Sequence, residues 1–456
     1  MGTYESAIIR EVVAREDCSR LYNIKLNGYT VFNFIKRQLR QSYISSAGLS
    51  AMDLVSSIKK TKVIESFFIS SFQLGKLLLS MKKYDNVFFA FPRLESIGGL
   101  YVDKFTDPFI VESGIKDFII FENGRGGVHM RPRYNDSHIV NTDILTIVSV
   151  LHSSVFWRFW YLMNKKLLDG FIKELVSVYG ENVIDKGTVL KSVLKSIHFS
   201  RLIETVLRSI HAKNVFAPAR PFDIFAATRH LGIRSFEMQH GITYSETALY
   251  SGYQHGESIP DYFLSFGEMS PKDVYGINPD KVINVGWPLF DFCKCSSGFV
   301  KYHATDVLVI SEPEVSDKII DATLILAKAF PDSRFYIRPH PHETYNNAQS
   351  KLIHLLPNVS INNNKVNIAE AMAGFENVVG ENSTVLYEAL ACNKKVGKLY
   401  LSGLEPIYLE EKDKESFWEI HSIDNLKQML YGSVDDKNQK SIYSKFDAEK
   451  FLSLLR

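Results

Sequence analysis

Cysteine is scarce: the 456-residue chain has four, Cys18, Cys293, Cys295 and Cys392. Their number and spacing give neither a disulfide framework nor a metal-binding set, and they suit a reducing cytoplasm. Net charge is nearly absent as well, 53 Lys and Arg against 51 Asp and Glu. Without a global basic field, nucleic acid is not an expected partner. Long apolar runs are missing too. The nearest, Ile144 to Phe171, is interrupted by His152, Arg158, Lys165 and Lys166, so no transmembrane helix is expected. That stretch reads as a long, mostly buried helix, with an interfacial helix as the alternative. The N-terminus, MGTYESAIIREVVARED, is charged too early for a signal peptide. There is no Asp-x-Asp pair after a strand and no His-x-x-x-His, so neither a metal nor a bound cofactor is expected.

What the chain does have is core: 45% of its residues are hydrophobic, enough for two or more domains. Apolar runs such as Asn86–Phe91, Asp117–Phe121, Asn214–Pro218 and Arg234–Met238 read as buried strands, and helical patterns separate them. After a polar stretch at about 295–305 a second series begins with Asp306–Ile310 and closes with Lys395–Leu399. Strands alternating with helices predict an α/β protein with two mostly parallel, Rossmann-like sheets. The predicted divisions are a helical segment over 1–84, a first Rossmann-like domain over 85–300 with a helical insertion at about 140–212, a second over 301–425, and a helical tail over 426–456.

Polar residues follow directly on several of these strands, where open α/β sheets bind ligands. Phe335-Tyr-Ile-Arg-Pro-His-Pro-His-Glu343 offers Arg338, His340 and His342, with Pro339 and Pro341 fixing the loop. His342 and Glu343 also fit a solvent-side position. Gly380-Glu-Asn-Ser-Thr-Val-Leu-Tyr-Glu388 places Glu381, Asn382, Ser383 and Thr384 where a helix should start, a seat for phosphate. Capping of that helix uses the same geometry. Glu388 fits either a ribose contact or a pair with Lys394 or Lys395, and Glu312 ends the first strand of the second series. In the first series, Glu122-Asn123-Gly124-Arg125 forms a glycine-rich turn and Gln239-His240-Gly241 another. Glu122 and His240 are the candidate proton acceptors, and Arg125 reads as a solvated arginine or an anion contact.

The order Gln239-His-Gly241, Val285-Gly-Trp-Pro-Leu-Phe-Asp291, Arg338-Pro-His-Pro341 and Glu381-Asn-Ser-Thr384 resembles that of two-domain GT-B glycosyltransferases of bacterial surface-polysaccharide assembly. The similar groups are the capsule and O-antigen Kdo transferases, the bacterial sialyl- and polysialyltransferases, and the CDP-glycerol polymerases. The resemblance spans roughly residues 85–425. It implies that His340-Pro341 contacts a CMP moiety and that Ser383-Thr384 holds its phosphate. It also implies that Glu122-Asn123-Gly124 stands for an acidic-acidic-glycine motif, with Asn123 replacing the second acid. The implied partners are a nucleotide-sugar donor, CMP-linked in the sialyl- and Kdo-transferase groups, and a glycan or lipid-linked glycan acceptor. The implied place is the cytoplasm, peripheral to the inner face of the membrane. A CDP-polyol phosphotransferase, a UDP-sugar 2-epimerase and a non-catalytic scaffold are the alternatives.

Overall fold

A computed structural model describes residues 3–46, 60–91, 94–124, 126–241, 249–252, 258–267, 277–289, 301–341, 343–363, 368–408, 411–434 and 443–455. Three helices, α1 (Thr3–Asp17), α2 (Lys36–Ser46) and α3 (Lys60–Leu79), lie in the N-terminal segment with a small hairpin of β1 (Lys25–Leu26) and β2 (Tyr29–Thr30). The first large sheet contains β3 (Asn86–Phe89), β6 (Phe118–Glu122), β7 (Ile139–Asn141), β8 (Asn214–Pro218), β9 (Arg234–Met238), β10 (Tyr262–Ser265) and β11 (Val282–Asn284). Between β3 and β6 come a hairpin, β4 (Leu94–Ile97) and β5 (Leu100–Asp103), and helix α4 (Asp107–Ser113). The insertion after β7 is three helices, α5 (Asp143–Met163), α6 (Lys165–Tyr179) and α7 (Lys186–Ser209), and α8 (Phe222–Leu231) joins β8 to β9.

All seven strands pair in parallel, in the order β11-β10-β9-β8-β3-β6-β7. The central strands are apolar on both faces because helices cover both. Phe88, Phe216, Phe236 and Tyr262 stack ring on ring across four neighbouring strands, at 4.5, 4.8 and 5.1 Å between centroids. Parallel register brings the same position of each strand side by side, so the four form one ladder.

The second sheet is also parallel, β14-β13-β12-β15-β16-β17, from β12 (Val307–Ile310), β13 (Phe335–Arg338), β14 (Val359–Ile361), β15 (Asn377–Gly380), β16 (Lys395–Leu399) and β17 (Trp418–Ile420). The fold is therefore α/β with two Rossmann-like units. One expectation changes: the series does not close at Leu399, since β17 adds an edge strand.

The C-terminal segment is a strap across the two units and not a separate tail. After the helix Ile423–Tyr431 the chain returns to the first sheet, where Ser444 donates to the Phe266 carbonyl at 2.7 Å and receives the Trp287 amide at 2.8 Å. Farther on, Arg234 donates to the carbonyls of Leu454 and Leu455, and Phe451 packs against Phe109 and Phe216. Gly286, at φ +79°, lets this strap approach: a Cβ there would lie 2.1 Å from the Lys445 carbonyl oxygen.

Candidate active site

In each sheet the strand order reverses beside the first strand, between β3 and β8 and between β12 and β15. Crevices at the carboxyl ends of such reversal points are where open α/β sheets hold ligands. The loops singled out by sequence lie at these ends.

In the second unit, Ser383 caps the helix Thr384–Ala391, its Oγ accepting the Val385 amide at 3.4 Å. Glu312, after β12, accepts the Asn382 amide at 2.9 Å, and burial pushes its carboxyl above the usual carboxylate range. Glu381 and Asn382 accept the amides of Glu405 and Ile407, tying loop 401–408 to the strand end. Arg338 donates to Asn362 at 2.8 Å; burial draws its guanidinium down, and Glu95 of the first unit opposes that shift. Glu343 is no solvent-side residue. It accepts the His340 amide at 2.8 Å and the Ser311 hydroxyl at 2.7 Å, bracing the His340 turn. His340 is half-buried, Pro341 and Thr384 are exposed, and His342 lies outside the described residues.

The hairpin β4–β5 leads across to this site. Lys104, just after it, lies 3.7 Å from Glu95 and 3.8 Å from Glu388 of the second unit. This contact is one that neither reading of Glu388 anticipated.

In the first unit, His240 follows β9, with the rings of Phe91 and Phe105 at 6.0 and 6.3 Å. Its Nδ1 lies 3.3 Å from the Tyr250 hydroxyl, which donates to Glu237 at 2.8 Å; Arg220 pairs with the other Glu237 oxygen at 2.7 Å. Burial raises the Glu237 carboxyl, and Arg220 opposes it. Ala219 and Arg220 both hold positive φ, 60° and 44°, a cost tolerated where a side chain must be aimed. Gln239 serves as a brace: it donates to the Gly241 carbonyl and accepts the Phe266 amide.

Glu122 occupies a different setting. It ends β6 buried, with one carboxylate oxygen against His129 Nδ1 at 2.6 Å and Arg131 at 3.1 Å, and the other against Arg133. His129 Nε2 faces Asp143 at 2.8 Å, and Asp143 also accepts the Gly124 amide at 3.0 Å. A Cβ on Gly124 would meet His129 Nε2 at 2.7 Å, so this position needs glycine. Asn123 is exposed and donates to Thr146 on α5. Arg125 and Asp291 lie outside the described residues.

A cavity of about 340 Å³ opens at the β3–β8 reversal point. Phe34, Phe89, Phe91, Phe121, Phe199 and Phe222 give it aromatic walls, and Arg37, Asn123, Thr142, Ser196, Arg220 and Asp223 supply polar groups. Burial pushes the Asp223 carboxyl up. Sequence reasoning passed over Asp223, Tyr250, Glu237, Arg220 and Lys398. The buried acid in Arg234-Ser-Phe-Glu-Met238 and the Pro218-Ala-Arg-Pro221 turn were the available signals. Lys398 lies buried beneath the second site among Tyr387, Tyr408 and Phe417, donating to the Ile407 carbonyl at 2.5 Å; burial draws its amine down to about 8.

No protein-family model and no curated protein matches the chain. Among solved structures, it is similar to UDP-GlcNAc 2-epimerase from Neisseria meningitidis bound to UDP-GlcNAc, at 14% identity over 81% of this chain and 98% of that one, TM-score 0.45. It is similar to the wall teichoic acid polymerase TagF, at 12% identity over 93% and 97%, TM-score 0.41. The glycotransferase of kitacinnamycin is a third, at 10% identity over 82% and 94%, TM-score 0.44.

Proposed function

We propose that the chain is a GT-B glycosyltransferase, independent of metal, that moves a sugar from a nucleotide donor to a growing bacterial surface glycan. The donor we assign is a CMP-activated acidic sugar, of Kdo or sialic type. The observation that carries this reading is the placement of His340, Ser383 and Arg338 at the carboxyl edge of the second sheet, flanking its reversal point. Arg338, His340 and the amides that open the helix at Thr384 would neutralise the departing phosphate. Glu381 or Glu388 would contact the ribose. The aromatic cavity of the first unit would seat the acceptor sugar, with Asp223 orienting its hydroxyl.

For the proton acceptor we assign His240, at a strand end where its ring lies 6.3 Å from that of Phe105, the neighbour of Lys104, and held by Tyr250. Glu122 is assigned a structural role. Its oxygens already receive three basic side chains, and a carboxylate so paired is a poor proton acceptor. The enzyme would work in the cytoplasm, at the inner face of the membrane where lipid-linked acceptors are presented.

Thermal-shift titration with CMP, CDP, UDP and GDP tests the donor site, because a ligand that binds only the folded state raises the melting temperature. CMP is expected to give the largest rise, and His340→Ala and Ser383→Ala to reduce it with the fold kept, the free Ser383→Ala protein melting slightly lower because its helix loses a cap. Equal shifts in both variants and wild type would remove the nucleotide from this loop pair.

A further inference from the structure

The stretch Ile144 to Phe171, expected as one mostly buried helix, falls on α5 and the start of α6, and α5 is not mostly buried. Of the 21 residues of α5 only Asp143, Leu145, Ser149 and Ser153 are buried. Val155, Phe159 and Leu162 stand on its outer side with about two-thirds of their surface in solvent. Their one-turn spacing makes a stripe. Beside α5 packs α3, whose Ser70 hydroxyl accepts the Ile144 amide and whose Gln73 accepts the Asn141 amide. It repeats the pattern: Ile64, Phe68 and Phe72 are 59, 66 and 74% exposed at four-residue intervals. The loop after Glu122 extends this surface with exposed Val128 and Met130, since Gly127 lies against the Lys62 carbonyl of α3. Exposed apolar stripes on two neighbouring helices mark a binding face.

Charge says what binds there. Residues 60–83 and 144–168 hold eight lysines and arginines and a single acid, Glu65, in a chain whose net charge is only +2. Glu65 is itself paired with Lys62 at 2.6 Å. Lys76, Lys82, Lys83, Arg158, Lys165 and Lys166 are all exposed. An apolar stripe with a basic rim and half-buried Trp157, Trp160 and Tyr161 has the composition of a helix lying in the headgroup layer. No helix among the described residues is long and apolar enough to cross a membrane.

We propose that α3, α5 and the 128–130 loop form a monotopic docking face for an anionic lipid bilayer. The first-sheet cavity would then open beside the lipid surface. Thr142, at the start of α5, and Asn123, bonded to Thr146, both line it. The Glu122–His129–Asp143 cluster, with Ser66 of α3 3.5 Å from His129, lies where loop, α3 and α5 meet and fixes their relative placement.

The test is cosedimentation of the full chain with vesicles, without donor or acceptor, so that its outcome is independent of the transferase reading. Vesicles of phosphatidylcholine alone are compared with vesicles containing about one-third phosphatidylglycerol, at about 0.1 M salt. One variant carries Phe68→Ser, Phe72→Ser, Val155→Ser and Phe159→Ser; another carries Lys82, Lys83, Arg158, Lys165 and Lys166→Gln. All nine positions are exposed or peripheral, and an unchanged melting temperature verifies folding. Wild type is expected to pellet with the anionic vesicles, and each variant to bind them at least about tenfold more weakly. Three results would overturn the proposal: no binding by wild type, undiminished binding by the serine variant, or a wild-type dimer in light scattering that the same serines dissociate, which would assign the face to a second copy.

Discussion

His240→Ala is expected to lower transfer by about 10²- to 10⁴-fold, the usual share of general-base catalysis, with nucleotide affinity unchanged. The histidine holds no core together. Its ring is half-buried between Phe91 and Phe105, at a strand end beside the residue that crosses to the second unit. What the fold supplies is orientation: Tyr250 lies against Nδ1, Glu237 anchors Tyr250, and Arg220 anchors Glu237. Tyr250→Phe should therefore cost less, about tenfold or below, as the loss of one neutral hydrogen bond would. It should act on turnover and leave donor binding alone. Single-turnover rates with saturating donor separate the two effects. Near-normal chemistry in His240→Ala would move the proton acceptor elsewhere, first to Asp223 in the cavity.

The second large effect falls on stability. Arg133→Ala is expected to cost about 3–5 kcal/mol, because it leaves a buried carboxylate without its partner. Arg133 is buried and faces both Glu122 and Asp107, and Asn135 also holds Asp107. Glu122→Gln should lower stability through the same network, while turnover per folded molecule stays within about tenfold of wild type. The double variant should lose less than the two single losses together, since both changes break one contact. Denaturant midpoints of the three variants supply the measurement. A Glu122→Gln protein as stable as wild type but about 100-fold slower would restore Glu122 as the base.

Glu122 shows where sequence is informative and where it is not. Buried parallel strands are legible because they are apolar on both faces, and their polar ends mark the crevice edge; β12, β13 and β15 with Glu312, Arg338 and Ser383 were found this way. The use of each polar residue is less legible. Glu122 before Asn123-Gly124 looks alike whether its carboxylate faces a substrate or three basic partners, because His129, Arg131 and Arg133 reach it through a turn with no local signature. Short strands with little apolar length, β7 and β17, escaped for a similar reason. The strap at 443–455 depends on contacts with residues some 160 to 220 positions earlier, which no local pattern encodes. Periodicity gave α3 and α5 as helices, but an apolar stripe reads the same whether protein, lipid or solvent covers it.

Product mass is the most direct test of transfer between a nucleotide donor and a glycan. The protein is incubated with a CMP-linked acidic sugar, CDP-glycerol or UDP-GlcNAc, each with and without a glycan acceptor, and both the released nucleotide and the glycan are weighed. CMP release is expected to depend on acceptor and to match, mole for mole, a glycan heavier by one acidic sugar. Conversion of UDP-GlcNAc without acceptor, polyol phosphate added from CDP-glycerol, or no reaction with any donor would contradict this expectation.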